Sequence, residues 1–108
     1  MRHAIALLLV VLGCASLLTS SLPARSADPP VPACIQYWPE ARYRALGYDH
    51  VVHIRSHCAN DARCEVTTDV NPETLETTVP ARGEVELVTW VGSPARKFTP
   101  QVRCHLVR

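Results

Sequence analysis

The side chains best suited to chemistry in this chain are four histidines, at positions 50, 53, 57 and 105, and four cysteines, at 34, 58, 64 and 104. The first three histidines read His50-x2-His53-x3-His57. On a helix that spacing can chelate a metal. On a strand His53 and His57 share a face but lie about 13 Å apart, at about 3.3 Å per residue. A metal site would then need a neighbour such as His105 or Asp69 beside one of them. Polar residues on a solvated sheet face are the plainer reading, so the sequence assigns no metal and no cofactor.

The cysteines contain no Cys-x2-Cys pair, which argues against zinc and for disulfides. Cys104-His105 lacks the methionine a blue-copper site usually adds, since Met1 is the only methionine of the chain. Adjacent strand residues also point to opposite faces, so this pair cannot act as nucleophile and base. Ser56 and Ser93 lack a Gly-x-Ser-x-Gly setting, and there is no glycine-rich phosphate loop. No catalytic residue is assigned, and the chain is not read as an enzyme.

Contact chemistry is better represented. Tyr37, Trp38, Tyr43 and Tyr48 are interleaved with Arg42 and Arg44, and Tyr, Trp and Arg are the types enriched where binding energy concentrates. Trp38, Tyr37, Arg42, Tyr43 and Tyr48 are therefore the candidate binding residues, for a protein or a carbohydrate partner.

Several elements must position these groups. A basic start, Met1-Arg2-His3, precedes a nearly continuous apolar run over 4–18 and a small, polar stretch to Ala27, the pattern of a secretory signal peptide. The run is short for a membrane span, which needs about 20 residues; an uncleaved anchor reaching Leu22 is the lesser reading. Val11-Leu12-Gly13-Cys14 resembles a lipobox, so a lipoprotein anchored at Cys14 is the alternative to a secreted or periplasmic protein. Domain boundaries follow: a leader over 1–27, a proline-rich lead over 28–33 and one domain over 34–108.

Arg2 and Arg25 fall in the leader, so nine of the eleven Lys and Arg remain beyond it against all ten Asp and Glu, a net charge of −1. That excludes an electrostatic footprint for nucleic acid, and no membrane span is expected after the leader. An even cysteine set in a small exported domain predicts a disulfide framework.

Residues 51–70 form the organising stretch, expected as a β-hairpin. Val52, Ile54, Ser56 and Cys58 alternate with His53, Arg55 and His57 before an Asn-Asp loop. Cys64, Val66 and Thr68 alternate with Glu65, Thr67 and Asp69 after it. Pairing Cys58 with Cys64 sets Val52 opposite Val70, His53 opposite Asp69 and His57 opposite Glu65. Cys34 and Cys104 are then left to pair. Residues 39–47 carry both alternation and helix punctuation, and one or two helical turns are the preferred reading. Strands are expected over 75–79, over 85–91, either central or crossing an edge of the core because both faces are apolar, and from Phe98 to Leu106, with Pro100 confining its start to an edge or bulge. Short strands between Pro/Gly turns predict an all-β, disulfide-linked antiparallel β-sandwich of immunoglobulin-like architecture.

Tyr37-Trp38-Pro39-Glu40-Ala41-Arg42-Tyr43-Arg44, Tyr48-Asp49-His50, Thr68-Asp69-Val70-Asn71-Pro72 and Gly92-Ser93-Pro94 before Phe98 and Cys104 resemble a group of small exported four-cysteine bacterial proteins. No activity is attached to that group, so the resemblance implies none here. The expectation is a non-catalytic binding or structural module. An inhibitor of a secreted enzyme, presenting residues 59–63 or 93–97, is the alternative; a surface metal-binding protein or an enzyme stands third.

Overall fold

The computed structural model describes residues 13, 15 and 29–108. The leader and the lipidation reading of Cys14 lie outside the described residues. Six strands follow in order: β1 (Ile35–Arg44), β2 (Gly47–Ser56), β3 (Ala62–Thr68), β4 (Leu75–Val79), β5 (Glu84–Ser93) and β6 (Pro100–Leu106). They form two three-stranded antiparallel sheets, ordered β1-β2-β5 and β4-β3-β6. The first is sheet A and the second sheet B. The all-β, sandwich-like architecture and the presence of two disulfides agree with the sequence.

Residues 51–70 are central, though they do not form a hairpin. β2 is the middle strand of sheet A and β3 the middle strand of sheet B. The short link between them crosses from one layer to the other. Val52, Ile54, Ser56 and Cys58 do point inward, as do Cys64, Val66 and Thr68. They meet across the sandwich, so the expected pairs His53–Asp69 and His57–Glu65 do not exist. Alternation reports which face is buried, and it is silent on whether two strands are neighbours in one sheet or opposed between two.

The disulfides change accordingly. Cys34 joins Cys58, and Cys64 joins Cys104. Cys64 and Cys104 are directly paired in the β3–β6 ladder. Cys34 lies just before β1, and its carbonyl accepts the amide of His57 at 2.8 Å, which extends the β1–β2 ladder to the next cysteine. Each bridge therefore locks a pairing already made within or beside one sheet, rather than joining the ends of the expected hairpin.

The expected helical turn over 39–47 is also absent. β1 runs through Pro39 and pairs along its whole length with β2, and the reversal is the tight turn Ala45-Leu46, with Ala45 at φ 31°. Helix punctuation was a local signal; ten residues of ladder outweigh it. Pro39 is tolerated because β1 is an edge strand. Strand β5 is likewise an edge and not central. Its second apolar face, with Val88 and Trp90, is solvent-exposed. Pro100 opens the edge strand β6, as expected. The proline-rich lead is docked, with Pro30 accepting the Cys104 amide at 2.9 Å and Val31 packed on the core.

Between the sheets lie Ile35, Val52, Ile54, Ala62, Val66, Val79, Phe98, Val102 and the disulfide sulfurs. The β2–β5 pairing shifts register twice near Tyr48, His50 and Val51. At the first shift, between Tyr48 and His50, Gly92 takes φ 70°, and its amide is held at 3.1 Å by Asp49 Oδ1. Gly47 meets this bulge closely: a Cβ there would stand 2.9 Å from the Gly92 carbonyl carbon and the Ser93 oxygen.

Candidate functional site

β2 is buried on both faces, so its outward side chains have neighbours of their own. β1 and β5 flank it, and each sends alternate side chains to the outer face of sheet A. From β1 come Trp38, Glu40 and Arg42; from β2, His53 and Arg55; from β5, Glu84 and Glu86. The ladder sets His53 directly between Trp38 and Glu86, and Arg55 beside Glu84.

His53 is the centre of this group and only 8% exposed. The Trp38 ring lies over it, centroids 5.1 Å apart and planes within 6°. The Arg55 guanidinium carbon stands 5.1 Å from the Trp38 centroid, a cation–π distance. Glu40 Oε1 is 2.6 Å from His53 Nε2. A carboxylate can only accept, so Nε2 carries the proton of that bond. Arg42 donates to Glu40 from Nε at 2.9 Å and from Nη2 at 3.1 Å, a two-pronged pairing. Arg42 Nη2 also reaches Glu86 Oε2 at 3.5 Å, and Arg55 Nε donates to Glu84 Oε2 at 3.1 Å.

The Arg42 hydrogen bonds, then the His53 bond, hold the Glu40 carboxyl down at about 2, from an ordinary 4.5. Reciprocally, Glu40 raises the Arg42 guanidinium above its usual range. A depressed folded pKa means stability that is present above the unfolded value and lost as pH falls through the folded one. Glu40 therefore contributes to acid sensitivity between about pH 4.5 and about pH 2. The expected result is that Glu40→Gln flattens the pH dependence of the urea midpoint in that window, relative to the wild type. A curve parallel to the wild type would mean that the carboxylate has no such role.

The five candidate binding residues are not brought together. Trp38 and Arg42 belong to the outer face of sheet A and are committed to His53 and Glu40 there. Tyr43 and Tyr48 meet edge-to-face, 5.5 Å between centroids, beside the β1–β2 turn. Tyr37 points the other way, into a groove of about 380 Å³ along β6 with Pro30, Gln101 and Arg103. The sequence missed His53, Glu40, Glu84, Glu86 and Arg55 as one group. The alternations Glu84-x-Glu86 and His53-x-Arg55 were visible, but the neighbours of β2 were not.

The other chemical candidates are structural. His50 is fully buried, stacks on Phe98 at 4.2 Å and donates from Nε2 to the Ala95 carbonyl at 2.8 Å. Ser56 Oγ accepts the Cys58 amide and Ser93 Oγ the Ala95 amide. His57 and His105 are exposed. Among the described residues no group of three or more His, Cys, Asp or Glu side chains is placed so that it could hold a metal ion, and no helix is long and apolar enough to cross a membrane.

At the far end of sheet A the surface is apolar. Leu46 in the turn is 100% exposed, Val91 71% and Tyr43 68%, and Val88 and Trp90 are also exposed. No protein-family model matches the chain, and neither a curated protein nor a solved structure matches it.

Proposed function

We propose that the protein is an exported bacterial binding module without catalytic activity, whose contact surface is the turn end of sheet A. The observation that supports this reading is the exposed set Tyr43, Leu46, Trp90 and Val91 beside an otherwise charged face. Exposed apolar side chains grouped on a small domain mark a place of contact, and the aromatic members are of the hot-spot type. Two disulfides fit an oxidising compartment, periplasmic or extracellular. The likeness to small exported four-cysteine proteins agrees with this and adds no activity.

A second reading, an inhibitor of a secreted enzyme, draws on residues 94–97. Arg96 and Lys97 are exposed on a loop fixed from below by the His50–Ala95 bond and the Phe98 stack.

Trp38 and Arg42 are poor test positions, because both are tied into the fold. Trp90→Ser with Val91→Ser, compared with wild type as bait in an envelope extract, separates contact from stability. A protein retained by wild type and lost by the folded double variant is the expected result. Equal capture by both would remove this surface from consideration.

A further inference from the structure

We propose that loop 94–99 docks into the active-site cleft of a trypsin-like serine protease, one that cleaves after arginine or lysine. Arg96 fills the specificity pocket, and the Arg96–Lys97 peptide bond lies at the catalytic serine. The proposal rests on the second reading above, an inhibitor of a secreted enzyme, and gives that enzyme its class. Such an inhibitor needs an exposed basic side chain on a loop that already has its docked shape. Residues 94–99 meet both requirements.

The other cations of the domain are unsuited to a cleft. Arg42, Arg44, Arg55, Arg63 and Arg103 stand within the strands of the two sheets. Arg82 sits in the turn between β4 and β5 at φ 55°, where the Gly83 amide donates to the Pro80 carbonyl at 2.9 Å and closes the chain on itself. Arg96 and Lys97 differ. Both are exposed, and the chain bends at Arg96. Among the described residues the hydrogen bonds that fix the loop engage neither of them. Lys97 is the poorer fit, because its own carbonyl bond would bring the buried Phe98 to the catalytic serine. With Arg96 in the pocket, the exposed Lys97 takes that place.

The residues on either side of the bond are held by buried groups. Ala95 donates its amide to Ser93 Oγ at 3.0 Å, and its carbonyl accepts His50 Nε2 at 2.8 Å. Ser93 and His50 are both buried. Phe98 stacks on the same imidazole, centroids 4.2 Å apart and planes within 11°. Thr99 donates its amide to Asp69 Oδ1 at 2.7 Å and accepts the Asp69 amide at 3.2 Å. His50 therefore clamps the chain before and after the Arg96–Lys97 bond. A loop so fixed has little freedom left to lose on docking, the main cost when a mobile loop binds. Hydrolysis would add water across the bond, leaving a carboxylate on Arg96 and an amine on Lys97. The clamp keeps those two ends in place, so the enzyme stays occupied and the reverse step, with loss of water, can restore the bond.

The test is titration of the disulfide-intact protein against trypsin, chymotrypsin and subtilisin, reading residual activity on small chromogenic substrates and the state of the chain by mass spectrometry. Trypsin should be inhibited by one chain per enzyme, and chymotrypsin should not. Arg96→Ala should weaken inhibition at least about a hundredfold, as loss of a central anchor does, and Lys97→Ala by less than about tenfold. Arg96→Leu should move inhibition from trypsin to chymotrypsin. Arg82→Ala should leave it unchanged. Trypsin inhibition indifferent to Arg96→Ala overturns the proposal. Rapid cleavage at Arg96–Lys97 with trypsin fully active also overturns it, because the loop is then a substrate. Inhibition of chymotrypsin or subtilisin but not of trypsin overturns the trypsin-like assignment and leaves the inhibitor reading standing. No effect on any of the three overturns the proposal and restricts that reading to enzymes of other classes.

Discussion

Replacing Cys64 and Cys104 together by alanine lowers stability by about 4 kcal/mol in the chain-entropy account of a bridge that closes a 40-residue separation. The bridge joins β3 to β6 at the middle of sheet B, and both sulfurs are buried in the core. Removing it restores the freedom of a chain that must otherwise cross the sandwich and return before β6 can pair. Small domains hold only about 5–15 kcal/mol in total, so this loss is a large share. For a domain of this size it corresponds to a fall in melting temperature of about 15–30 °C. Removing Cys34 and Cys58 should cost slightly less, about 3.5 kcal/mol, because the separation is 24. Thermal unfolding without reductant measures both, and peptide mapping of the same samples checks the connectivity. A peptide joining Cys58 to Cys64 would mean that β2 and β3 share a sheet after all.

Ile54→Ala should cost about 3 kcal/mol, within the range found for emptying a core position of this size. Ile54 is fully buried, the largest side chain to be so among the described residues, and lies among the core residues of both sheets. Its neighbour Arg55 points to the other face, where it pairs with Glu84 and stands over Trp38. Those contacts are half-exposed, so Arg55→Ala should cost no more than about 1 kcal/mol. Urea unfolding with unchanged slope is the measurement. Equal losses at 54 and 55 would contradict the assignment of the two faces of β2.

The candidate site was only partly legible. Trp38 and Arg42 were singled out by residue type, and both do lie on the face that holds the His53 group. Their partners came from strands whose adjacency no local pattern encodes. His53 was placed in water on the strength of its alternation, and it is buried because Trp38 and two glutamates on β5 close over it. Asp49 and Gly92 likewise look like turn residues, yet one holds the other's bulge across β2 and β5.

The amino-acid sequence by itself determined the class of the fold, most of its strands, which face of β2 and of β3 is apolar, and the disulfide-bonded character of the domain. These are properties of period-two alternation, turn residues and composition, which act over a few neighbouring positions. Tertiary structure decided which strands share a sheet. In a two-layer domain β2 can bury Val52 and Ile54 against β3 either as a neighbour or as the opposing layer, and the alternation is the same. The choice between those arrangements set both disulfides, turned residues 39–47 into an edge strand, and brought Glu40, His53, Glu84 and Glu86 from three strands to one face.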